Sequence, residues 1–185
     1  MALWLTIGQA TPALVETFAY GDTQGQAPAA LATLQAANLI GQAVDHRDPG
    51  GRATVERVDL SGQAAHVTRR LLRPHAGNAA GIIDWSAGDS LLEAAAETFH
   101  QLTEHDALGR MTKLFNWHRP GVPRMAIYLP RYNRRGLLAS EGLITRATAY
   151  DAPTENAPPA IRAIAYNAKG QQEKRVLGNH TTTSY

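Results

Sequence analysis

Histidine is the residue type in this chain that most readily suggests catalysis or metal binding, and seven occur among the 185 residues. His100 and His105 are five positions apart, which places their side chains on opposite faces of a strand. None of the seven has the His-x-x-x-His spacing that puts two ligands on one helix face. The chain has no cysteine, so cysteine metal sites and disulfides are excluded. We therefore predict structural or solvent-facing histidines, with no bound metal and no cofactor.

A hydrolytic site is the second chemical possibility. Ser90, His100 and Asp84 could form a triad, but no Gly-x-Ser-x-Gly elbow surrounds the serine. Glu97 and Glu104 could serve as acid and base, although nothing in the sequence marks a sugar cleft. A hydrolase is therefore the weakest hypothesis, and we expect the chain not to be an enzyme.

Aromatic residues offer a binding chemistry instead. Trp4, Trp85 and Trp117, together with six tyrosines, could line a carbohydrate groove. Such residues more often pack across neighbouring strands, where their large rings stabilise the sheet. A free-standing β module that recognises a glycan or a cell surface stays open as the alternative function.

The charges are unevenly distributed along the chain. Up to Gly109 there are six Lys/Arg and twelve Asp/Glu, whereas from Arg110 onward there are twelve and four. A basic half is typical of a nucleic-acid or acidic partner, but these cations are scattered along strands. We therefore expect attraction between the halves or to a neighbouring segment, and no nucleic acid.

The first seven residues lack the basic start and apolar core of a signal peptide. No stretch approaches the ~20 apolar residues of a membrane span.

Residues 104–117 show most clearly which secondary structure the sequence predicts. His105-Asp-Ala-Leu-Gly109 favours a tight turn, because Asp106 can cap the backbone and Gly109 accepts a positive φ. After the glycine, apolar and polar residues alternate as they do along a strand. The stretch therefore predicts a β-hairpin.

The same template, an aromatic or apolar residue followed by Asp/Asn, two free residues and Gly, recurs along the chain. The five copies are His46-Arg-Asp-Pro-Gly50, Val58-Asp-Leu-Ser-Gly62, His105-Asp-Ala-Leu-Gly109, Tyr132-Asn-Arg-Arg-Gly136 and Tyr166-Asn-Ala-Lys-Gly170. The first copy is the poorest, because Arg47 stands at its Asp/Asn position. Their predicted structural residues are the caps Asp48, Asp59, Asp106, Asn133 and Asn167 and the glycines Gly50, Gly62, Gly109, Gly136 and Gly170. In each copy we expect the first side chain to pack on the sheet, the Asx to cap and the Gly to take a positive φ. Repeats of this kind predict a sheet extended hairpin by hairpin.

The rest of the chain fits one all-β region over 1–185, an antiparallel meander with one or two short helices. Alternating stretches such as 14–20, 64–72 and 161–166 predict strands. Residues 28–37 predict a short helix that Pro28 begins, and 38–42 predict the start of the next strand. Residues 151–159 are polar and proline-rich, which predicts an exposed loop.

At these turns the sequence resembles the YD repeats of the Rhs family. Two stretches are closer to the Rhs-like part of bacterial insecticidal toxin-complex B and B/C components. One is Glu104-His-Asp-Ala-Leu-Gly-Arg-Met-Thr-Lys-Leu-Phe-Asn-Trp-His-Arg-Pro120, and the other is 164–185, where Asn167 and His180 replace the family's usual Asp and Gly. Because histidine tolerates a positive φ less well than glycine, His180 marks a departure from the pattern. The resemblance covers most of the chain after about Phe18.

The resemblance implies a function as well as a fold. YD repeats in that family coil as a long curved β-sheet into a hollow shell that encloses a toxic C-terminal domain. No segment here matches the family's self-cleaving site or toxic domain, so the chain is expected to be a fragment of shell wall. Its expected partners are the other shell segments and the enclosed toxin, and its expected location is outside the cell, as part of an exported toxin assembly. Open sheet edges would also favour self-association.

Overall fold

The structure, a computed structural model, describes residues 1–22, 27–77, 81–122, 124–150 and 154–185. These residues contain twelve strands that follow one another in the order of the chain and pair antiparallel. The prediction of an all-β antiparallel meander is therefore confirmed. The strands are β1 (Ala2–Leu5), β2 (Ala13–Tyr20), β3 (Ala43–Asp48), β4 (Gly51–Val58), β5 (Ala64–Leu71), β6 (Phe99–His105), β7 (Met111–His118), β8 (Met125–Tyr132), β9 (Leu138–Ala147), β10 (Pro159–Tyr166), β11 (Gln172–Leu177) and β12 (Thr182–Ser184).

Internal contacts divide the chain into two compact units, Met1–His100 and Gln101–Tyr185. Strand β6 spans the division. The sequence predicted a single region over 1–185, because the turn template occurs on both sides of this point. A repeated turn motif predicts only local backbone geometry. It does not show which side chains pack together, and the division into two units depends on that packing.

The first unit builds its core where a non-strand segment packs against the sheet. Trp85, Leu91 and Leu92 are buried there, in and just after a 3₁₀ segment, Trp85–Leu91. Backbone bonds tie this segment to the end of β5, with Glu93 N–H donating to Leu71 O at 2.9 Å. A second 3₁₀ segment, Ala95–Glu97, leads into β6.

Ion pairs reinforce the same attachment. Asp89, on the 3₁₀ segment, lies 3.1 Å from Arg47 Nη2, 2.9 Å from Arg52 Nη1 and 3.6 Å from Arg70 Nη1. Arg52 also binds Asp45 on β3. The carboxylate of Asp89 thus binds one arginine from each of β3, β4 and β5. Together with Asp45, it offsets the mutual repulsion of these three arginines.

Helix α1, Pro28–Ala36, coincides with the predicted 28–37 and has Pro28 in its first turn. None of its residues is buried. Asn38 has a left-handed φ of 55°, and Leu39 N–H donates to Leu34 O at 2.8 Å, which ends the helix. In the described residues no helix is long and apolar enough to cross a membrane.

The second unit has its core on one face of its central strands. Phe115, Met125, Ile127, Leu129 and Ala147 are buried together, and Ile127 is fully inaccessible. Alternate residues of β8 supply three of these five side chains, which is the period expected of a strand with one packed face.

Three local expectations differ from the structure. Strand β1 was not predicted. Residues 38–42 do not begin a strand, because Ile40 makes only an isolated bridge to Gly21 and β3 starts at Ala43. Of the predicted loop 151–159, residues 151–153 lie outside the described residues, and Pro159 already begins β10.

Candidate functional site: the hairpin turns

Four of the turns share one hydrogen-bonding pattern. In each, the Asx N–H donates to the carbonyl four residues on at 2.8–3.0 Å, and the glycine N–H donates back to the Asx carbonyl at 2.9–3.1 Å. The Asx Oδ1 accepts two further backbone N–H groups, from two and four residues on, at 2.8–3.1 Å. These turns begin at Asp59, Asp106, Asn133 and Asn167 and contain Gly62, Gly109, Gly136 and Gly170, whose φ values are 73–83°.

This geometry explains why those residue types occur at that spacing. The Asx oxygen satisfies two N–H groups that a tight turn leaves without a ladder partner. The glycine takes a left-handed φ that would strain a residue with a Cβ. The turn is therefore specified by two local residues, whatever lies between them.

The first copy of the template is different, and the prediction for Gly50 is wrong. Asp48 pairs with Gly51 across a two-residue loop, and the N–H of Gly50 donates to Asp48 Oδ1 at 2.6 Å. The positive φ, 135°, belongs to Gly51. Proline favours the first central position of a turn, so the turn centres on Pro49-Gly50 and the strand continues through Arg47.

A fifth turn of the same backbone form joins β11 to β12. Leu177 N–H donates to Thr181 O at 2.9 Å, and His180 N–H donates to Leu177 O at 3.0 Å. Leu177 holds the Asx position, so the cap comes from Asn179, whose Oδ1 accepts from Thr181 N–H at 3.0 Å. His180 holds the glycine position with a φ of 67°.

Replacing His180 with glycine should stabilise the chain. A left-handed φ costs a non-glycine residue about 1–2 kcal/mol, and the added freedom of glycine in the unfolded state offsets part of the gain. We expect the free energy of unfolding in urea to rise by about 0.5–1 kcal/mol. The matched control, Gly170→Ala, should lower it by about 1 kcal/mol, because Gly170 has a φ of 83°. A loss of stability in His180→Gly would contradict this account.

Charge distinguishes the turn at Asp106 from the two asparagine turns. Arg110 donates from Nε to Asp106 Oδ2 at 2.7 Å. This bond, followed by the backbone N–H groups of Arg110 and Leu108, holds the pKa of the Asp106 carboxyl below its usual value. The ionised turn is therefore the stable form.

The stability supplied by Asp106 should disappear in acid. Since its folded-state pKa is lowered, the contribution is complete above the unfolded-state value of about 3.9 and is lost as the pH falls through the folded-state pKa. At pH 7 we expect Asp106→Asn to melt at a lower temperature than wild type, because the Arg110 ion pair is lost while Oδ1 still accepts. In calorimetric scans, the difference between the two melting temperatures should disappear at acidic pH. A gap that stays constant from neutral to acidic pH would refute the assignment.

Arginine side chains connect successive turns in the second unit. Arg135 donates from Nη1 to Asn167 O and from Nη2 to Ala168 O, each at 3.0 Å. Arg110 lies over the ring of Tyr132, with Cζ 4.8 Å from the ring centroid. Neighbouring hairpins are thus joined at their turns as well as along their strands. Sequence analysis missed these contacts, although arginine within or just after an Asx-x-x-Gly turn could have drawn attention to them.

Removing one cap should show how much a turn contributes. Asn133→Ala deletes the Oδ1 that accepts from Arg135 N–H and Leu137 N–H. We expect a loss of about 1–2 kcal/mol in chemical unfolding, as for other side-chain caps. Asn133→Asp keeps the oxygen and should stay within about 0.5 kcal/mol of wild type. If alanine and aspartate behaved alike, the cap would not be the stabilising feature.

The structure does not bring the candidate triad together. Asp84 Oδ1 accepts from the N–H groups of Ser86 and Leu14, at 3.0 and 3.1 Å, and so caps the 3₁₀ segment. Ser90 Oγ donates to Ala87 O at 2.7 Å. The ring of His100 stacks on His66, with Nδ1 3.0 Å from His66 Nε2. Each member is therefore bonded to other partners.

The other chemical candidates also have structural partners. Glu104 Oε1 lies 3.4 Å from Lys113 Nζ, while Glu97 belongs to the 3₁₀ segment before β6. His118 is buried, with Nδ1 2.6 Å from Asn116 O and Nε2 2.8 Å from the Tyr150 hydroxyl. Because a carbonyl oxygen only accepts, Nδ1 donates to Asn116 O. Across the part of the chain that the structure describes, no group of three His, Asp or Glu residues could hold a metal ion.

The three tryptophans differ in environment. Trp85 is 2% exposed and lies beneath the guanidinium of Arg47, 5.5 Å from its ring centroid, so it cannot line a groove. Trp4 is 56% and Trp117 39% exposed. A glycan-binding surface would therefore have to depend on these two and on the tyrosines.

Comparison with known proteins gives structural matches only. No protein-family model and no curated protein sequence matches the chain. A crystal structure of TcdB2-TccC3-Cdc42 is 20% identical over 100% of this chain, with a TM-score of 0.73. A crystal structure of TcdB2-TccC3 without its hypervariable C-terminal region is 21% identical over 100% of this chain, with a TM-score of 0.74. The Photorhabdus luminescens Tc holotoxin pore is 22% identical over 98% of this chain, with a TM-score of 0.73.

The matching segment is a small part of each of those proteins. The chain spans 8% of the first two matched chains and 7% of the third. Over that segment the likeness extends through nearly all of this chain, including both of its units. The predicted resemblance to the Rhs-like components of toxin complexes is thereby confirmed at the level of the fold.

Proposed function

We propose that this chain is a stretch of the shell wall of a Rhs-like toxin-complex assembly. Its role there is structural and non-enzymatic, and the wall of which it is part encloses a toxic cargo domain. Its partners are the neighbouring wall segments and the cargo, in an assembly that is exported from the cell.

The observation that carries the proposal is the turn whose hydrogen bonds are repeated at Asp59, Asp106, Asn133 and Asn167. Each of these turns is specified by its own residues. A meander built from such turns can therefore be lengthened by further hairpins while the existing hairpins stay unchanged. The likeness to TcdB2-TccC3 over the whole chain supports the same assignment.

The placement of the polar side chains supports a structural role over a catalytic one. Catalytic groups are held ready for a substrate, with the nucleophile bonded to its base. Here Ser90 bonds to a backbone carbonyl and Asp84 caps a helical segment. Both interactions stabilise the fold and leave no nucleophile–base pair between them.

A chimeric shell tests the proposal directly. The segment of TcdB2-TccC3 that has this fold would be replaced by residues 1–185, and the purified assembly would be treated with protease. We expect the cargo domain to be as resistant to the protease as it is in the unaltered parent assembly digested alongside. A matched control is the same chimera carrying Gly51→Ala, which should fail to close and should expose the cargo.

Two results would count against the proposal. One is a chimera that assembles at the parent mass but leaves its cargo open to digestion. The other is a catalytic activity of the isolated chain that Ser90→Ala or His100→Ala abolishes while the fold is retained.

A further inference from the structure

The second unit has a basic surface at one end of its strands. Its turns at Asp106, Asn133 and Asn167 all lie at that end, because every second connection of an antiparallel meander returns to the same end of the sheet. Four exposed cations lie in or beside these turns, and we call them the basic end: Arg131, Arg134, Arg135 and Lys169. They come from two neighbouring hairpins, β8–β9 and β10–β11.

The charge of the basic end is not neutralised by the rest of the described chain. None of its four side chains forms an ion pair with a residue that the structure describes. The acidic residues of the Asp106 hairpin are already bound, since Asp106 Oδ2 lies 2.6 Å from Arg110 Nη2 and Glu104 Oε1 lies 3.4 Å from Lys113 Nζ. Like charges held together repel one another, so an anionic partner would lower the electrostatic energy of this end.

Hydrogen bonds hold Arg135 in place without cancelling its charge. Its Nη1 donates to Asn167 O and its Nη2 to Ala168 O, each at 3.0 Å. Both acceptors are neutral backbone carbonyls, so the guanidinium stays positive while its position is fixed between two turns. A cation that is already ordered loses little conformational entropy when it binds a partner. The basic end is thus partly preorganised for an anion.

A cleft of about 430 Å³ adjoins the basic end. Arg131 lines it together with Arg110 and Lys113, and Leu129 and Pro130 form part of its apolar wall. Arg110 and Lys113 are already paired with acids, so Arg131 is the cation left to meet a ligand. Its planar guanidinium can bind a carboxylate through two parallel hydrogen bonds. The cleft therefore suits one acidic side chain, with its methylene groups against the apolar wall.

We propose that the basic end is a docking surface for an extended acidic polypeptide. One carboxylate of that polypeptide binds Arg131 in the cleft, and others lie over the turns at Asn133 and Asn167. Successive turns at one end of the sheet are separated by two strand spacings, about 10 Å. Because about three extended residues span the same distance, acidic residues at every third position of the polypeptide meet successive turns.

A nucleic acid fits the basic end less well. Single-stranded nucleic acids are held by aromatic rings on which successive bases stack. The tyrosine that lines the cleft, Tyr132, is covered by Arg110, whose Cζ is 4.8 Å from the ring centroid. Glu104 and Asp106 also line the cleft, and a phosphate backbone, with a charge on every nucleotide, cannot avoid them. A polypeptide can place neutral residues beside these acids and carboxylates beside the cations.

This inference goes beyond the proposed function, because the basic end takes no part in closing the wall. A chimeric shell carrying Arg131→Glu should protect its cargo as well as the chimera without that substitution. Conversely, an unprotected cargo would not alter the affinity of the free chain for an acidic peptide. The two proposals can therefore fail separately.

Fluorescence anisotropy with a labelled oligoglutamate tests the docking on the full chain. A peptide of about eight residues spans roughly 26 Å when extended, enough to reach from the cleft across two turns. We expect binding in the micromolar range at about 0.1 M salt, and weaker binding as the ionic strength rises. Arg131→Glu and Lys169→Glu should each weaken the affinity about fivefold, and together at least about tenfold.

Arg124→Glu is the matched control, because Arg124 is exposed just before β8, at the opposite end of that strand from Arg131. It makes the same change in charge about 23 Å away, beyond the Debye length of about 10 Å at this salt concentration. The affinity should therefore stay within about twofold of wild type. Circular dichroism would verify that all the variants fold.

Three results would overturn the proposal. The first is a wild-type chain that does not bind the oligoglutamate at all. The second is an equal loss of affinity in Arg124→Glu and Arg131→Glu, which would indicate attraction to the overall charge and not to the basic end. The third is a single-stranded oligonucleotide of the same charge that binds more tightly than the peptide.

Discussion

Gly51→Ala should destabilise the first unit by about 3 kcal/mol or more, because the added methyl group meets both a strained backbone and a close neighbouring strand. Gly51 is buried where β4 begins, with a φ of 135° that L side chains rarely adopt. A Cβ at this position would lie 2.1 Å from Arg70 O and 3.0 Å from Leu71 Cα. Both atoms are backbone of the paired strand β5, so neither can move without breaking the ladder. Urea unfolding followed by circular dichroism measures the loss.

Gly62→Ala separates the two causes of that loss. Gly62 has a φ of 80°, but a Cβ there would meet only the side chain of Gln42, at 3.9 Å. Its substitution should cost about 1 kcal/mol, from the backbone conformation alone. Equal losses at Gly51 and Gly62 would mean that the close approach of β5 contributes nothing.

Ile127→Ala should cost the second unit about 3 kcal/mol, within the 2–5 kcal/mol usual for a buried isoleucine. Ile127 has no accessible surface and packs with Phe115, Met125, Leu129 and Ala147. The substitution removes three carbons from a site enclosed on all sides, so a cavity stays behind. The loss should appear in the free energy of unfolding, with the native circular dichroism spectrum unchanged.

Two companion variants set the scale of the Ile127 effect. Ile127→Val removes one methyl group and should cost about 1 kcal/mol. Leu108→Ala alters a side chain that is 77% exposed at the tip of the Asp106 turn and should be within about 0.5 kcal/mol of wild type. If Leu108→Ala were as destabilising as Ile127→Ala, burial would not explain the result.

The hairpins could be predicted because their determinants are local. An Asx oxygen and a glycine three residues later satisfy the same backbone groups wherever they occur. The first copy shows the limit of this rule, since Pro49 moved the turn and transferred the positive φ to Gly51. The turn at His180 was noticed for its departure from the pattern, and its backbone form is unchanged.

Features that depend on distant residues could not be predicted in this way. Strand β1 contains none of the repeated turn residues, and its four residues are too few to show a clear alternation. The attachment of Asp89 to Arg47, Arg52 and Arg70 joins residues up to 42 positions apart in the sequence. The glycan hypothesis counted Trp85 as a surface residue, because composition alone does not show that it is buried.

The agreement between strand order and chain order has a consequence for how the protein is made. The described strands pair only with their neighbours in the chain, so strand pairing does not have to wait for a remote strand. Loop closure is inexpensive for such neighbours, and folding can advance hairpin by hairpin as the polypeptide leaves the ribosome. The same connectivity also determines how the sheet unfolds under tension. A pull on one end of the chain acts first on the hydrogen bonds of the terminal strand. When the chain is pulled through a narrow opening, such a sheet should unfold one strand at a time. The force required should depend on the hydrogen bonds of a single hairpin and not on those of the whole sheet.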